Sequence, residues 1–261
     1  MAFLDRKVWI TGASSGIGEA LALAFHKAGA RLILSARRED ELRRVQEQCG
    51  GPISTQILPL DITQASELGE KSRVALQMFG GVDILINNAG VTQRSLVKDT
   101  DLDVYRKLME VNFFGAVALT KAVLPAMIEA RSGQIAVISS LVGKFGTPLR
   151  SGYSAAKHAL HGFFDSLRAE VSHYGIKVML VCPGYIRTDI SLHALRGDGG
   201  LHAKMDSGQA RGMPVEQCAA QIIKGLVRGK EEIYVGYKDK YIVYLKRFFP
   251  SVFSRMIARS E

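Results

Sequence analysis

The stretch KVWITGASSGIGEALALAFHKAG, residues 7–29, decides the fold. It begins with a short apolar run, continues through a turn that holds Gly12, Gly16 and Gly18, and ends in a helical pattern of apolar residues. A strand, a glycine-rich turn and a helix in this order form the repeating unit of doubly wound α/β proteins. We therefore expect the first strand inside a parallel sheet and the turn at the carboxyl edge of that sheet.

The rest of the chain repeats this alternation. Further apolar strands are predicted at 31–35, 54–60, 83–87, 134–139, 176–182 and 232–235. Continuously apolar strands separated by helices are typical of a parallel sheet that is covered on both faces. The predicted fold is therefore α/β, a single-domain doubly wound parallel sheet of about seven strands. We assign residues 1–236 to this domain, a lid to about 189–212, and a basic amphipathic extension to 237–261.

Composition narrows the class of protein. The chain has 261 residues, of which 47% are hydrophobic and 23% charged, as in ordinary globular proteins, so wholesale disorder is excluded. Its three cysteines include no CxxC pair, which disfavours a disulfide framework and a thiolate zinc site. We find neither a signal-like apolar segment at the start nor a run of about 18 apolar residues, and expect a cytoplasmic protein without a membrane-spanning helix.

The net charge of +9 does not by itself indicate nucleic-acid binding. Residues 237–261 alone carry six basic and two acidic residues, and no nucleic-acid-binding motif accompanies them. We predict no metal site either. His158 and His161 are spaced i, i+3 on one predicted helix, but no third ligand has suitable spacing, so we interpret them as solvated or interface histidines.

The turn TGASSGIG, residues 11–18, predicts a phosphate-binding site. Glycines let the backbone turn tightly and let a pyrophosphate approach the N-terminus of the helix, whose N–H groups and dipole favour anions. Two other functions remain open. Residues 12–16 also fit the GxSxG motif of serine hydrolases with Ser14 as nucleophile, although no later histidine has a distinctive setting. A non-catalytic dinucleotide sensor would need only the turn.

Cofactor choice is predicted from the end of the second strand. An acidic residue about 20 positions after the glycines binds the ribose 2′-hydroxyl of NAD. This chain has Ala36 there, followed by Arg37 and Arg38. Because a guanidinium binds a 2′-phosphate with charge and with paired hydrogen bonds, we expect NADP(H) in preference to NAD(H).

A tyrosine and a lysine spaced i, i+4 predict acid–base chemistry. Tyr153 and Lys157 share one face of a helix predicted at 153–174, and Ser140 ends the preceding strand. A nearby ammonium, together with an oxidised nicotinamide ring, would lower the pKa of the Tyr153 phenol. The tyrosine would then exchange a proton with a substrate hydroxyl or carbonyl near neutral pH, while Ser140 holds the reacting oxygen.

Taken together, these motifs resemble the short-chain dehydrogenase/reductase family over about residues 5–235. The motifs that carry the resemblance are TGASSGIG (11–18), NNAG (87–90), Asn112, Ser140, YSAAK (153–157) and PGYIRT (183–188). Residues 93–115 further resemble the branch that handles retinoids, steroids and other lipophilic carbonyls. The resemblance implies a homodimer or homotetramer, built partly on the helix at 153–174.

The resemblance also implies roles for single residues. Tyr153 would be the general acid/base, Lys157 would lower its pKa and bind the nicotinamide ribose, and Ser140 would stabilise the substrate oxygen. Asn112 would hold a water molecule that links Lys157 to solvent. The turn and the resemblance together predict cofactor contacts by Gly12, Ser14, Ser15, Gly16, Ile17, Gly18, Arg37, Arg38, Asp61, Ile62, Asn88, Ala89, Gly90, Tyr153, Lys157, Pro183, Gly184, Ile186 and Thr188. Asp61 is also a candidate N-cap for a helix at 64–79.

The predicted substrate is a small carbonyl or alcohol with an apolar body. The residues expected to line its pocket are Val142, Phe145, Leu149, Tyr185, Leu192 and Leu195. In the extension, apolar residues alternate with basic ones, and Pro250 is expected to divide it into two short helices. For this extension we favour packing or a subunit contact over attachment to a membrane surface.

Overall fold

Seven parallel strands form one sheet in the computed structural model, which describes residues 2–259. The strands are β1 Lys7–Thr11, β2 Arg31–Ser35, β3 Thr55–Ile57, β4 Ile84–Asn87, β5 Gly133–Ile138, β6 Ile176–Pro183 and β7 Glu232–Val235. Their order across the sheet is β3-β2-β1-β4-β5-β6-β7, so the direction of winding reverses between β1 and β4. This confirms the predicted doubly wound α/β fold. In such sheets ligands bind outside the carboxyl ends of the strands at the reversal point.

The first strand lies inside the sheet, between β2 and β4. Val8 pairs with Leu32 on one side and with Ile84 on the other, and it is fully buried. Trp9 is buried as well, and its indole N–H donates to Ser35 Oγ over 2.9 Å. A strand covered on both faces must be apolar throughout, which explains why this run carries no alternation of polar and apolar residues.

Ten α-helices surround the sheet within the described residues. They are α1 Gly16–Lys27, α2 Glu39–Gln48, α3 Ala65–Gln77, α4 Leu102–Met109, α5 Gly115–Glu129, α6 Ser151–Val171, α7 Ser207–Ala210, α8 Val215–Val227, α9 Ile242–Phe248 and α10 Pro250–Ile257. Helices α1, α2 and α8 pack on one face of the sheet, and α3, α5 and α6 pack on the other. Each face therefore has its own apolar core.

Helices α4 and α5 form one continuous helical segment, joined by a π-helical turn at Glu110–Phe114. This segment, Leu102–Glu129, contains an 18-residue window with a mean hydropathy of 1.6, so by length and composition alone it is long and apolar enough to cross a membrane, although charged residues interrupt its apolar run. A core helix of a globular domain has the same length and composition. Here Leu119 and Val123 are fully buried in the core beneath the sheet.

One predicted strand is shorter in the structure, and two other predicted segments can now be described. The third strand covers only Thr55–Ile57 of the predicted 54–60, because β3 is an edge strand that turns into the loop after Ile57. The predicted lid at 189–212 contains only the short helix α7 and a 3₁₀ turn, Asp189–Ser191. Pro250 begins α10 and separates it from α9, as expected for a residue without a backbone N–H. Met1, Ser260 and Glu261 belong to the predicted domain and extension but lie outside the described residues.

Candidate active site

A cavity of about 1170 Å³ lies at the carboxyl edge of the sheet, where the winding reverses between β1 and β4. Every predicted site residue except Gly18 and Asn112 lines this cavity. The glycine turn lies at one end, together with Arg37 and Asp61, and the catalytic candidates Tyr153 and Lys157 lie further along. The sequence motifs, which are spread over most of the chain, therefore face one space.

The glycine turn forms a cradle that any side chain would fill. Gly12 and Gly16 have φ angles of 64° and 58°, which residues with a Cβ rarely adopt. A Cβ on Gly18 would lie 2.2 Å from the carbonyl oxygen of Gly12, so Gly18 allows close packing of the turn rather than contact with a ligand. The first N–H groups of α1 have no partners within the helix and are available to an anion. These features fit the pyrophosphate of a dinucleotide.

A hydrogen-bonded bracket fixes the shape of this turn. The Asn88 side-chain amide donates to the carbonyl oxygens of Thr11, at 2.9 Å, and of Gly12, at 3.2 Å. The backbone N–H groups of Asn88 and Ala89 both donate to Thr11 Oγ1, at 3.0 and 3.1 Å. Asn88 therefore holds two strand ends together in addition to lining the cavity. Thr11 was not singled out from the sequence, although it begins the TGASSGIG motif.

Two arginines lie at the end of β2. Arg37 and Arg38 are both exposed and both line the cavity, and a guanidinium nitrogen of Arg38 lies 3.5 Å from Ser14 Oγ. Within residues 2–259, no histidine forms a hydrogen bond with Ser14. That arrangement supplies positive charge next to the cradle, but it gives Ser14 none of the partners that a serine nucleophile needs.

The catalytic candidates meet at the start of α6. The Lys157 ammonium lies 5.6 Å from the centroid of the Tyr153 ring, and it donates to the carbonyl oxygen of Ile138 over 2.8 Å. Burial raises the pKa of Tyr153 above its ordinary value, and a hydrogen bond from Ser140 offsets this only in part. In the chain without a cofactor, desolvation outweighs the neighbouring positive charges, and the lowering expected beside an oxidised nicotinamide ring stays a prediction.

Burial also shifts the pKa of Lys157. Lys157 is 4% exposed, and desolvation lowers its pKa to about 7.

Asn112 lies behind the cavity wall in the π-helical turn, and its amide donates to the carbonyl oxygens of Val91 and Leu108, each at 2.9 Å. A Cβ on Gly90 would lie 2.8 Å from Asn112 Oδ1 and 3.5 Å from Lys157 Nζ, so this glycine lets the two side chains come close together.

Some expected roles differ in the structure. The Asp61 carboxylate accepts hydrogen bonds from the backbone N–H and the hydroxyl of Thr63, while Gln64 occupies the cap position of α3, so Asp61 is not the N-cap. Of the expected pocket residues, Leu192 and Leu195 do not line the cavity. Leu195 instead packs with the buried side chains of α4.

Two groups of cavity residues belong to none of the sequence motifs. One is an ion-paired cluster in which the Asp206 carboxylate binds the guanidinium groups of Arg94 and Arg150, and no local pattern identifies it because its members come together only through the tertiary fold. The other is supplied by the extension, where Ile242 and Met256 line the cavity, in agreement with the packing that its amphipathic pattern favoured.

A buried cluster behind the cavity was also missed. The ring of His161 lies between a thiol and a carboxylate, with Nε2 3.7 Å from Cys182 Sγ and Nδ1 3.5 Å from Glu232. His161 is only 8% exposed, so its interpretation as a solvated histidine is wrong. Burial raises the pKa of the Cys182 thiol. Burial would also raise the pKa of Glu232, but hydrogen bonds, including one from Lys144, lower it to about 2.

Known proteins resemble this chain along most of its length. The family model described as short chain dehydrogenase matches residues 6–197. A Drosophila melanogaster protein named dehydrogenase/reductase SDR family protein 7-like is 45% identical over 258 residues, which cover 97% of this chain and 79% of that protein. The human dehydrogenase/reductase SDR family member 7 is 42% identical over 254 residues, covering 95% of this chain and 75% of that protein.

Solved structures share the architecture. A short-chain dehydrogenase from Streptomyces avermitilis superimposes with a TM-score of 0.83 at 30% identity, covering 97% of this chain and 95% of that one. A short chain dehydrogenase/reductase from Burkholderia phymatum, determined in complex with NAD, has a TM-score of 0.84 at 21% identity. It covers 97% of this chain and 96% of its own, and at that identity it shows the fold alone. The matched model and relatives, on the fold and cavity described above, identify this chain as a member of the short-chain dehydrogenase/reductase family.

Proposed function

We propose that this protein is an oxidoreductase that transfers a hydride between NADP(H) and a carbonyl or secondary alcohol, with Tyr153 as general acid/base. One observation carries the proposal. Tyr153, Lys157 and Ser140 meet in the same cavity whose other end is the glycine cradle. A dinucleotide held by the cradle would thus extend towards these three side chains, and its nicotinamide, when bound, supplies or accepts the hydride.

The side chains of this chain supply the proton chemistry. The Ser140 hydroxyl, which donates to the carbonyl oxygen of Pro183 over 3.3 Å in the chain without substrate, would turn to donate a hydrogen bond to the reacting oxygen. Because burial raises the pKa of Tyr153, its phenol is protonated at neutral pH and can donate the proton that a developing alkoxide takes up. Lys157, with its pKa near 7, can return a proton towards Tyr153. Carbonyl reduction is proposed as the physiological direction because of the proposed preference for NADP(H).

NADP(H) is proposed as the preferred cofactor because Arg37 and Arg38 are exposed beside the cradle. Their guanidinium groups suit a 2′-phosphate. At position 36, where an acidic residue would bind a free 2′-hydroxyl, this chain has alanine. A cytoplasmic location and a homodimer or homotetramer built partly on α6 are further proposals, which rest on the unpaired cysteines and on the family resemblance.

An apolar carbonyl compound is the proposed substrate. The wall next to Ser140 carries Val142 and Phe145, and Leu149 and Tyr185 line the same cavity. Apolar walls of this kind bind the body of a ligand, while a few polar groups orient its reacting end.

The test is turnover of a panel of aliphatic and aromatic ketones with NADPH. We expect Tyr153→Phe to reduce kcat by about 10²–10⁴ because general acid catalysis is lost, while NADPH affinity changes little. The matched control is Tyr174→Phe, which alters a tyrosine beyond the end of α6 and outside the cavity. Equal turnover by wild type and Tyr153→Phe would contradict the proposal, as would a panel in which only small hydrophilic carbonyls react.

A further inference from the structure

An unusual number of large apolar side chains are exposed between residues 237 and 256, a stretch that leads into α9 and includes most of α10. We call them, with the basic residues around them, the tail surface. Its apolar members, each between 40% and 69% exposed, are Tyr237, Tyr241, Tyr244, Phe248, Phe249, Val252 and Met256. Single exposed apolar residues are normal, but seven within twenty positions form a patch of the kind that marks an interaction site.

The exposed apolar side chains are not the side of α9 and α10 that packs against the domain. Their inner sides are already packed, with Val243 and Phe253 only 8% and 3% exposed. The Phe253 ring contacts the ring of Phe145 at a centroid distance of 5.3 Å, in the cluster next to the cavity wall. One side of α9 and α10 therefore closes the cavity, and the other side faces outward.

Basic residues alternate with the exposed apolar residues along the chain. Residues 237–259 contain six basic residues and one acidic residue, which gives a net charge of +5. The basic residues are Lys238, Lys240, Lys246, Arg247, Arg255 and Arg259. Among the described residues, none of the six forms an ion pair. The acidic residue, Asp239, is engaged elsewhere, since its carboxylate accepts the backbone N–H of Tyr185 over 3.0 Å.

We propose that the tail surface docks on a membrane that contains anionic lipids. Aromatic side chains insert at the level of the headgroups, and lysine and arginine side chains around them bind lipid phosphate and carboxylate groups. A second copy of this chain fits less well. In a two-fold dimer the same surface would face itself, and two surfaces of +5 would repel each other.

Met256 connects the tail surface with the cavity. Met256 belongs to the tail surface and also lines the cavity, so the docked helices place the cavity wall at the lipid interface. An apolar substrate dissolved in the membrane would then reach the cavity without crossing bulk water. This consequence rests on the proposed function, whereas docking itself does not, and the experiments below measure binding without turnover.

The first experiment is co-sedimentation with vesicles of phosphatidylcholine, with and without about 30% phosphatidylserine. We expect the full chain to bind the anionic vesicles only, and to dissociate as salt rises from about 0.1 M to about 1 M, where charges are screened within a few ångströms. The double variant Arg247→Glu/Arg255→Glu should bind at least about tenfold more weakly. The control Lys27→Glu/Lys121→Glu changes the same charge at exposed sites on α1 and α5 and should bind like wild type.

The second experiment tests insertion of the aromatic side chains. Phe248→Trp places an indole in the tail surface. Ile53→Trp places one at a 91% exposed position that is distant in sequence from the tail surface. Native Trp9 is fully buried and contributes the same background to both variants. With brominated lipids in anionic vesicles, we expect quenching of the indole at position 248 and none at position 53.

Three outcomes would overturn the proposal. The first is equal sedimentation of wild type with and without anionic vesicles. The second is equal loss of binding in the tail variant and in the control. The third is an absence of lipid binding together with a dimer, seen by light scattering, that Arg247→Glu/Arg255→Glu changes in stability, because the tail surface would then be a contact between copies of the chain.

Discussion

At the scale of single residues, burial decides the protonation of the two candidate acid–base groups. Tyr153 and Lys157 are one helical turn apart, and their ordinary pKa values would leave both protonated at neutral pH. Desolvation raises the pKa of the tyrosine and lowers that of the lysine to about 7. Burial therefore favours the neutral form of each group, which agrees with the proposed role of Tyr153 as a proton donor.

From the lowered pKa of Lys157 we predict how the free energy of unfolding depends on pH. Its pKa is about 7 in the folded chain and near 10.5 when unfolded. Between these values the unfolded chain binds more protons, so the free energy of unfolding rises with pH across this window; below about pH 7 the folded chain bears the full cost of the buried charge. Lys157→Met removes this dependence. Relative to wild type, the variant should therefore lose on the order of 2 kcal/mol between pH 7 and pH 9.

Urea denaturation at pH 6, 7, 8 and 9 measures this difference. Lys121→Met, at an exposed position on α5, is the control and should keep a constant difference from wild type at every pH. If the Lys157→Met difference were equally flat, burial would not have shifted the pKa of Lys157.

Arg37 predicts the cofactor preference. Arg37→Asp replaces a cation that would attract a 2′-phosphate with an anion that repels it, and the new carboxylate can accept a free 2′-hydroxyl. We expect the Kd for NADPH to rise at least about tenfold more than the Kd for NADH, measured by fluorescence titration. Lys27→Asp makes the same change of charge at the far end of α1 and should leave the ratio unaltered. Equal weakening of both cofactors would remove Arg37 from phosphate recognition.

At the scale of elements, the join between β1 and α1 depends on glycine for close packing. A Cβ at position 18 would overlap the carbonyl oxygen of Gly12 at 2.2 Å and the Asn88 amide at 2.6 Å. Neither atom can move easily, because the amide already holds the turn through two hydrogen bonds.

Gly18→Ala should therefore destabilise the chain by about 1–3 kcal/mol and weaken dinucleotide binding, since overpacking has to shift the turn. Thermal unfolding with and without NADPH measures both effects. Gly69→Ala is the matched control, because Gly69 lies in the middle of α3 with no atom within 4 Å of a new Cβ, and alanine there should stabilise by up to about 1 kcal/mol. Similar effects of the two substitutions would show that the turn tolerates a side chain.

At the scale of the whole molecule, the cavity is assembled from both ends of the chain. The cradle follows β1, the catalytic side chains follow β5 and begin α6, and the extension covers the wall with α9 and α10. A ligand that touches all these segments should stabilise the complete fold rather than one element.

NADPH should therefore raise the melting temperature of the protein. A ligand at about 100 times its Kd stabilises the folded state by about 2.7 kcal/mol, which corresponds to a shift of roughly 5–10 °C for a chain of this size. We expect this shift by differential scanning fluorimetry with NADPH and a smaller one with NADH at equal concentration. A larger shift with NADH would reverse the proposed preference, and no shift with either would contradict dinucleotide binding.

The sequence by itself determined the order of strands and helices, the position of the cradle and the identity of the Tyr153–Lys157 pair. These features are local: apolar runs, glycines at fixed offsets and residues spaced i, i+4 carry their meaning within one strand, turn or helix. The alternation also predicted a doubly wound parallel sheet, but the order of its strands, and with it the reversal of winding between β1 and β4, came from the tertiary structure.

Only the tertiary structure decided what depends on neighbours distant in sequence. It brought Asp206 to Arg94 and Arg150, joined His161 to Cys182 and Glu232, and left one side of the last two helices uncovered. It also decided the burial that raises the pKa of Tyr153 in the chain without a cofactor. Desolvation depends on all the atoms that surround a group, whichever segment supplies them. A local sequence pattern does not show which atoms from distant segments will surround it.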